Sequence, residues 1–247
     1  MTLTYEERLS DSPYVERVWR TQSEGQGFVD SIALSHWMLV FWTQYGKINI
    51  SVHAPETRTT TAAPIPEEAD FFGVVFKHGT FMPHLPIDQL VNDEILLPEA
   101  TSRSFWLKGS AWEFPTYHNV DTFVSRLVHN GILVREPIID AFTRGHLSDL
   151  SSRSIQRRVL RTTGLTYNTI RQIERARQAA VLLREGVSIL DTVFQTGYSD
   201  QPHLTRALKQ LIGRTPAQLT DISKDNHLSV LFKTTALWSA MLEPSRR

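Results

Sequence analysis

The chain has 247 residues, with 26 Lys plus Arg set against 26 Asp plus Glu, so its formal net charge is zero. That length admits one large domain or two of roughly 100–150 residues. The absence of cysteine excludes a disulfide scaffold, Cys-ligated zinc, a thiol redox sensor and a cysteine nucleophile. The zero is a cancellation: residues 1–119 carry 8 basic and 15 acidic side chains, or −7, and residues 120–247 carry 18 basic and 11 acidic, or +7.

The N-terminus lacks a basic stretch followed by an apolar core, and no apolar run reaches the roughly 20 residues that cross a bilayer. A soluble, cytoplasmic protein is the expectation. The first half then alternates with a period of two. Tyr14–Trp19, Phe28–Leu34, Trp37–Trp42, Lys47–Val52 and Phe71–Phe76 are short, β-branched and aromatic, as strands half-buried on a core require. Turn signals separate them at Gly25, Gly27, Gly46, the Pro55 region, the Thr57–Asp70 stretch and Gly79. The pattern predicts an antiparallel sandwich or small barrel, plausibly a jelly roll.

From Asp121 the apolar period lengthens to about 3.6. Phe123, Leu127 and Val128 form one stripe, Ile138, Ile139 and Phe142 a second, Ile155 and Val159 a third. The shift coincides with the change of charge and predicts an acidic β domain (1–119), a basic α domain (120–220) and an apolar extension (221–247). That extension carries Leu228, Val230, Leu231, Phe232, Leu237, Trp238, Met241 and Leu242, and is expected to pack on the β domain or at a dimer contact.

Two basic segments carry the chemistry. Ser151 and Gly164 are the start and stop signals of a helix that places Ile155 and Val159 inward and Arg153, Gln156, Arg157 and Arg161 outward. Arg and Gln pair in bidentate fashion with guanine and adenine edges; a solvated basic face is the plain alternative. Ser188 to Lys209 has the grammar of helix, tight turn and helix. Ser188 and Asp200 are caps, Gly197 supplies the turn and Pro202 stands in the first turn. Gln201, His203, Arg206 and Lys209 face outward, with Leu204, Leu208 and Leu211 inward.

These spacings resemble the DNA-binding domain of AraC/XylS-family transcription regulators. The run Arg175, Ala179, Leu182, Leu183 and the closing Gly213-Arg214-Thr215-Pro216 are similar to that family's. The resemblance spans about residues 148–220 and extends back to Asp121. It implies two helix-turn-helix units, with Asp121–Asn130 and Glu136–Arg144 as scaffold of the first, Ser152–Thr163 its recognition helix and Tyr167–Glu185 a joining helix about 28 Å long. That length suits recognition helices in successive major-groove turns about 34 Å apart. By position, Arg153, Gln156, Arg157, Gln201, His203 and Arg206 match base-contacting residues of the family, and Arg161 and Lys209 phosphate-contacting ones. The sequence departs from the family at Val193, Leu204, Leu208 and His146–Leu150.

The resemblance also implies partners: duplex promoter or operator DNA, a small-molecule effector, a second copy of the chain, and RNA polymerase if the protein activates; no membrane is expected. In such proteins the N-terminal β domain senses or dimerises. Here Trp37, Trp42, His78, His84 and Trp106 are candidate pocket residues, with core or interface packing as the alternative for the tryptophans, Trp19 and Trp112 included. The run Lys77–Pro86 is a candidate loop over such a pocket. Histidine spacing supports no metal site, and no catalytic or phosphate-loop motif appears, so no cofactor or enzyme activity is expected. The competing expectations are a ligand-binding β protein whose helices serve protein interaction or non-specific DNA association, and a cupin-like enzyme.

Overall fold

The structure, a computed structural model, describes residues 3–23, 25, 27–65, 67–143 and 151–221. The expectations for His146–Leu150 and for the apolar extension beyond Asp221 lie outside these residues. Strands fill the first half: β1 (Leu3–Leu9), β2 (Val15–Ser23), β3 (Gly27–Ser31), β4 (Met38–Gln44), β5 (Lys47–His53), β6 (Thr60–Ile65), β7 (Asp70–Phe76) and β8 (Thr80–Phe81). A short helix α1 (Ile87–Leu90) precedes β9 (Glu94–Leu96), β10 (Glu99–Thr101), β11 (Ser104–Leu107) and β12 (Ser110–Glu113). The second half is helical apart from β13 (Val134–Arg135). It contains α2 (Val120–His129), α3 (Pro137–Thr143), α4 (Ser152–Thr163), α5 (Tyr167–Arg184), α6 (Ile189–Thr196), α7 (Gln201–Leu211) and α8 (Pro216–Thr220).

All five predicted strands are present, paired antiparallel. The stretch from Thr57 to Asp70, expected to be a turn region, instead contains β6, which pairs with β3 as a two-stranded ribbon. Pro64 is tolerated there because such a ribbon leaves each strand one side free of ladder bonds.

The chain forms two compact units. The first comprises Met1–Gln26, Ser35–Glu56 and Pro66–Tyr167. Its main sheet has strand order β1-β2-β7-β4-β5-β9, beside a three-stranded sheet β10-β11-β12 and the pair β13-β8. One face of the main sheet contributes Val18, Val74, Leu39, Phe41, Ile50 and Val52 to a core closed by Phe105, Trp112, Phe123 and Leu127. Phe41 stacks on Phe72 at 4.4 Å, and the ring of Phe123 from α2 meets Phe41 edge-on at 6.2 Å. On the opposite face Trp19 lies over Gly73, where an added Cβ would stand 2.3 Å from the indole. The first unit also holds α2, α3 and α4.

The second unit comprises Gly27–Leu34, Thr57–Ile65 and Asn168–Arg247. It unites the β3–β6 ribbon with α6, α7, α8 and α5 after its first residue. Its core is built from Ile170, Ile173, Ala176, Ala179, Ala180 and Leu183 of α5 with Leu204, Leu208 and Leu211 of α7. Ala33 N–H donates to the Leu211 carbonyl at 2.8 Å and Thr59 N–H to that of Gln210 at 3.2 Å. The ribbon segments thus satisfy last-turn carbonyls of α7 that have no partner inside the helix.

Candidate nucleic-acid interface

Helix α4 forms where local signals place it. The Ser151 side chain caps its N-terminus by accepting from the Ser154 N–H, and Gly164 ends it in the left-handed region at φ 70°. Ile155, Val159, Thr162 and Thr163 are buried. Arg153, Gln156, Arg157 and Arg161 are exposed, so one helix carries four long polar side chains on its solvent side.

The two ends of α4 differ. Arg153, Gln156 and Arg157 make no hydrogen bond or ion pair with any described residue, whereas Arg161 and Arg158 share the Glu136 carboxylate, Arg158 at 3.4 Å and Arg161 in closer contact. The Thr162 carbonyl accepts from the buried Trp37 indole N–H at 2.9 Å. A Cβ at Gly164 would lie 2.5 Å from Val91 and 3.0 Å from Ile87, so α1 closes directly on the helix end. Glu136 and Trp37 were not legible as partners of this helix.

The second unit repeats the design with a tight turn. The Ser188 side chain accepts from Asp191 N–H, capping α6, and Gly197 ends it at φ 70°. Asp200 then caps α7, accepting from His203 N–H at 2.7 Å. That backbone donor, ahead of all other contributions, holds the Asp200 carboxyl below its usual pKa. Pro202 occupies the first turn, where its missing N–H costs nothing. Leu204 and Leu208, two of the departures from the family pattern, are fully buried, and Val193 is half-buried.

Arg175 of α5 fixes the turn. Its guanidinium lies 4.2 Å from the centroid of the Tyr198 ring and Nη1 donates to the Gly197 carbonyl at 3.4 Å. Burial pushes the Tyr198 phenol up. Ala179 has no exposed surface, so any larger side chain there would have to displace packed neighbours. In the closing motif Gly213 takes a positive φ and Thr215 forms a capping box with Gln218 at the start of α8.

On α7, Gln201, Arg206 and Lys209 are exposed, while His203 is half-buried. The His203 ring stands edge-on to Tyr198 at 5.0 Å, and its Nδ1 is 3.1 Å from Ser199 Oγ. Six of the eight expected DNA-facing residues are thus exposed without an ion pair to a described residue. Arg161 has an internal carboxylate partner, and His203 is held against the turn.

The five candidate pocket residues stand in different settings. Trp37 is buried and donates to Thr162, Trp42 is half-buried on β4, and Trp106 is exposed on β11. His78 is buried, hydrogen-bonded to Ser35 Oγ at 2.8 Å, its ring tilted against that of His36 with centroids 3.8 Å apart. His84 is half-buried in the turn after β8, its pKa lowered by burial and then by the nearby Lys108 charge. A cavity of about 550 Å³ lies elsewhere in the first unit, on the core face of the main sheet at its β1–β2–β7–β4 end, with Tyr117 on its wall. None of the five lines it.

Two capped helices with an arginine- and glutamine-bearing outer face, one of them following a tight glycine turn, define a helix-turn-helix protein. Residues 147–221 match the family model described as a helix-turn-helix domain, and this C-terminal region is of the AraC type. The match supports a DNA-binding transcription regulator. Two solved structures are similar at low identity. ToxT from Vibrio cholerae in a P21 crystal form shares 8% identity at a TM-score of 0.36, over 87% of this chain and 97% of that one. ToxT from Vibrio cholerae O395 bound to (E)-4-(8-methylnaphthalen-1-yl)but-3-enoic acid shares 9% at 0.35, over 87% and 98%. No curated protein matches the sequence. Among the described residues no helix is long and apolar enough to cross a membrane.

Proposed function

We propose that the protein reads specific duplex sequences by seating α4 and α7 in successive major grooves. Arg153, Gln156, Arg157, Gln201, His203 and Arg206 face base edges, and Arg161 and Lys209 face phosphates. The β-rich part senses an effector or dimerises, and RNA polymerase is the further partner if the protein activates. The observation that carries the DNA reading is the free, solvent-facing Arg153-Gln156-Arg157 set on a helix whose other face is buried. Such a set has no folding role and matches the donors used for guanine and adenine.

Selection of bound duplexes from a random pool, followed by titration of variants, tests this. Arg157→Ala or Arg206→Ala should cost about 1–3 kcal/mol, concentrated at one base position. Equal binding of parent and variants to a selected duplex would refute the proposal. A role in protein interaction is favoured by one feature, the exposure of Leu190 (72%) and Phe194 (87%) one turn apart on α6. A specific-to-random affinity ratio near one across a salt series would favour that reading alone.

A further inference from the structure

We propose that the cavity at the β1–β2–β7–β4 end of the main sheet binds a small organic cation with an apolar or aromatic body. The strand register builds it. One cross-strand row is Thr4, Gln22, Asp70 and Thr43, and the next is Glu6, Arg20, Phe72 and Phe41. Two residues further along, the same face carries Val18, Val74 and Leu39 of the core. With side chains of one face spaced by two, the first two rows turn a core face into a polar recess whose inner wall is aromatic.

The charges in the recess sort by partner. Arg20 Nε and Nη2 both donate to Glu6 Oε2, at 2.9 and 2.5 Å, and that guanidinium lies 4.7 Å from the Tyr117 ring centroid. Arg8, also over the Tyr117 ring at 5.4 Å from its centroid, pairs with Asp121 at 2.7 Å. Asp70 has no hydrogen bond or ion pair to a described side chain, which leaves one uncompensated carboxylate in the recess. The Tyr117 hydroxyl is buried without a partner among the described residues, in a residue 7% exposed. A buried hydroxyl costs free energy unless a partner arrives.

The ligand chemistry follows. Asp70 takes an ammonium in a charge-assisted hydrogen bond, Thr43 and Gln22 flank it, and Phe72 receives the apolar body. The volume of about 550 Å³ is that of an ordinary small-molecule site. This inference supplies a ligand class to the sensing role proposed above and rests on that role only for its biological use. Binding is measured without DNA, and operator affinity separately, so either can fail alone.

The test uses three probes on one skeleton, 2-phenylethylamine, 2-phenylethanol and phenylacetate, titrated calorimetrically into the full chain at neutral pH. The amine should bind saturably, about tenfold or more tighter than the alcohol or the carboxylate. Asp70→Asn, isosteric at an exposed position, should remove that preference, and Tyr117→Phe should weaken the amine while the circular dichroism spectrum is unchanged. No saturable amine binding at millimolar concentration, equal binding of the three probes, or an Asp70→Asn variant that keeps the preference would overturn the proposal.

Discussion

Glu136→Gln isolates one electrostatic relation at the first recognition helix. Glu136 is held from behind, its N–H donating to the Gly79 carbonyl at 2.9 Å. Its carboxylate, 17% exposed, meets Arg158 and Arg161, whose side chains are 43% and 66% exposed. At that exposure the pair belongs with solvent-screened ion pairs worth about 0.2–1 kcal/mol. A phosphate that recruits Arg161 must first displace this carboxylate, so neutralising it should tighten DNA binding by about 1.4- to 5-fold. Because Arg161 meets a phosphate in parent and variant alike, the gain should be equal on selected and random duplexes and leave the log–log salt slope nearly unchanged. Fluorescence anisotropy on both duplexes over a salt series reads all three quantities. Unchanged affinity, or a gain confined to one base position, would rule out this competition, and a Glu136→Gln/Arg161→Ala double variant should lose the gain.

Other variants probe the supports of the site. Trp37→Phe leaves the buried Thr162 carbonyl without its donor and should cost about 1–3 kcal/mol of stability in urea unfolding, before any loss of packing; a change within error would remove that role. Gly164→Ala puts a Cβ 2.5 Å from Val91 at φ 70° and should destabilise by about 1–3 kcal/mol, whereas Gly186→Ala, also at positive φ but in open space, should cost less. Glu94 is held below the usual carboxylate range first by its hydrogen bond from His53 at 2.8 Å. Its ionised form therefore adds stability above the unfolded-state pKa that is lost as pH falls through the lower folded one. Glu94→Gln should accordingly flatten the stability profile on the acid side, and an unchanged profile would contradict the pairing.

What was legible in the sequence was local. Ser151, Gly164, Ser188, Gly197 and Asp200 each act on their own backbone, and the bounds of α4 and α7 follow from them almost residue for residue. The strands with an unbroken apolar stripe were equally plain. Strand β1, Leu-Thr-Tyr-Glu-Glu-Arg-Leu, was hidden by its charges, two of which, Glu6 and Arg8, lie on the face that continues the core and are paired there with Arg20 and Asp121. The Glu136 pairing was not legible because its partners stand 22 and 25 residues away. The recess was hidden for a similar reason: each strand contributes one or two unremarkable polar residues, and only the register of four strands assembles them. Of the tryptophans, Trp37 donates to a helix end and Trp112 packs in the core, in keeping with the packing alternative that their apolar bulk offered.

The asymmetry of α4 has a mechanical consequence. Indole, glycine contact and carboxylate all grip the end from Arg158 to Gly164, whereas the turn from Arg153 to Arg157 is anchored by Ile155 alone, its polar side chains free of any described partner. The helix is a cantilever whose arm, the six residues from Ser152 to Arg157, is about 9 Å long. A tilt of about 5° at the clamp would swing the far tip by roughly 0.8 Å, enough to carry a donor from bonded to unbonded distance of a base edge. Small displacements of β4 or α1 would be amplified at the arginines that face DNA, with no change inside the helix itself.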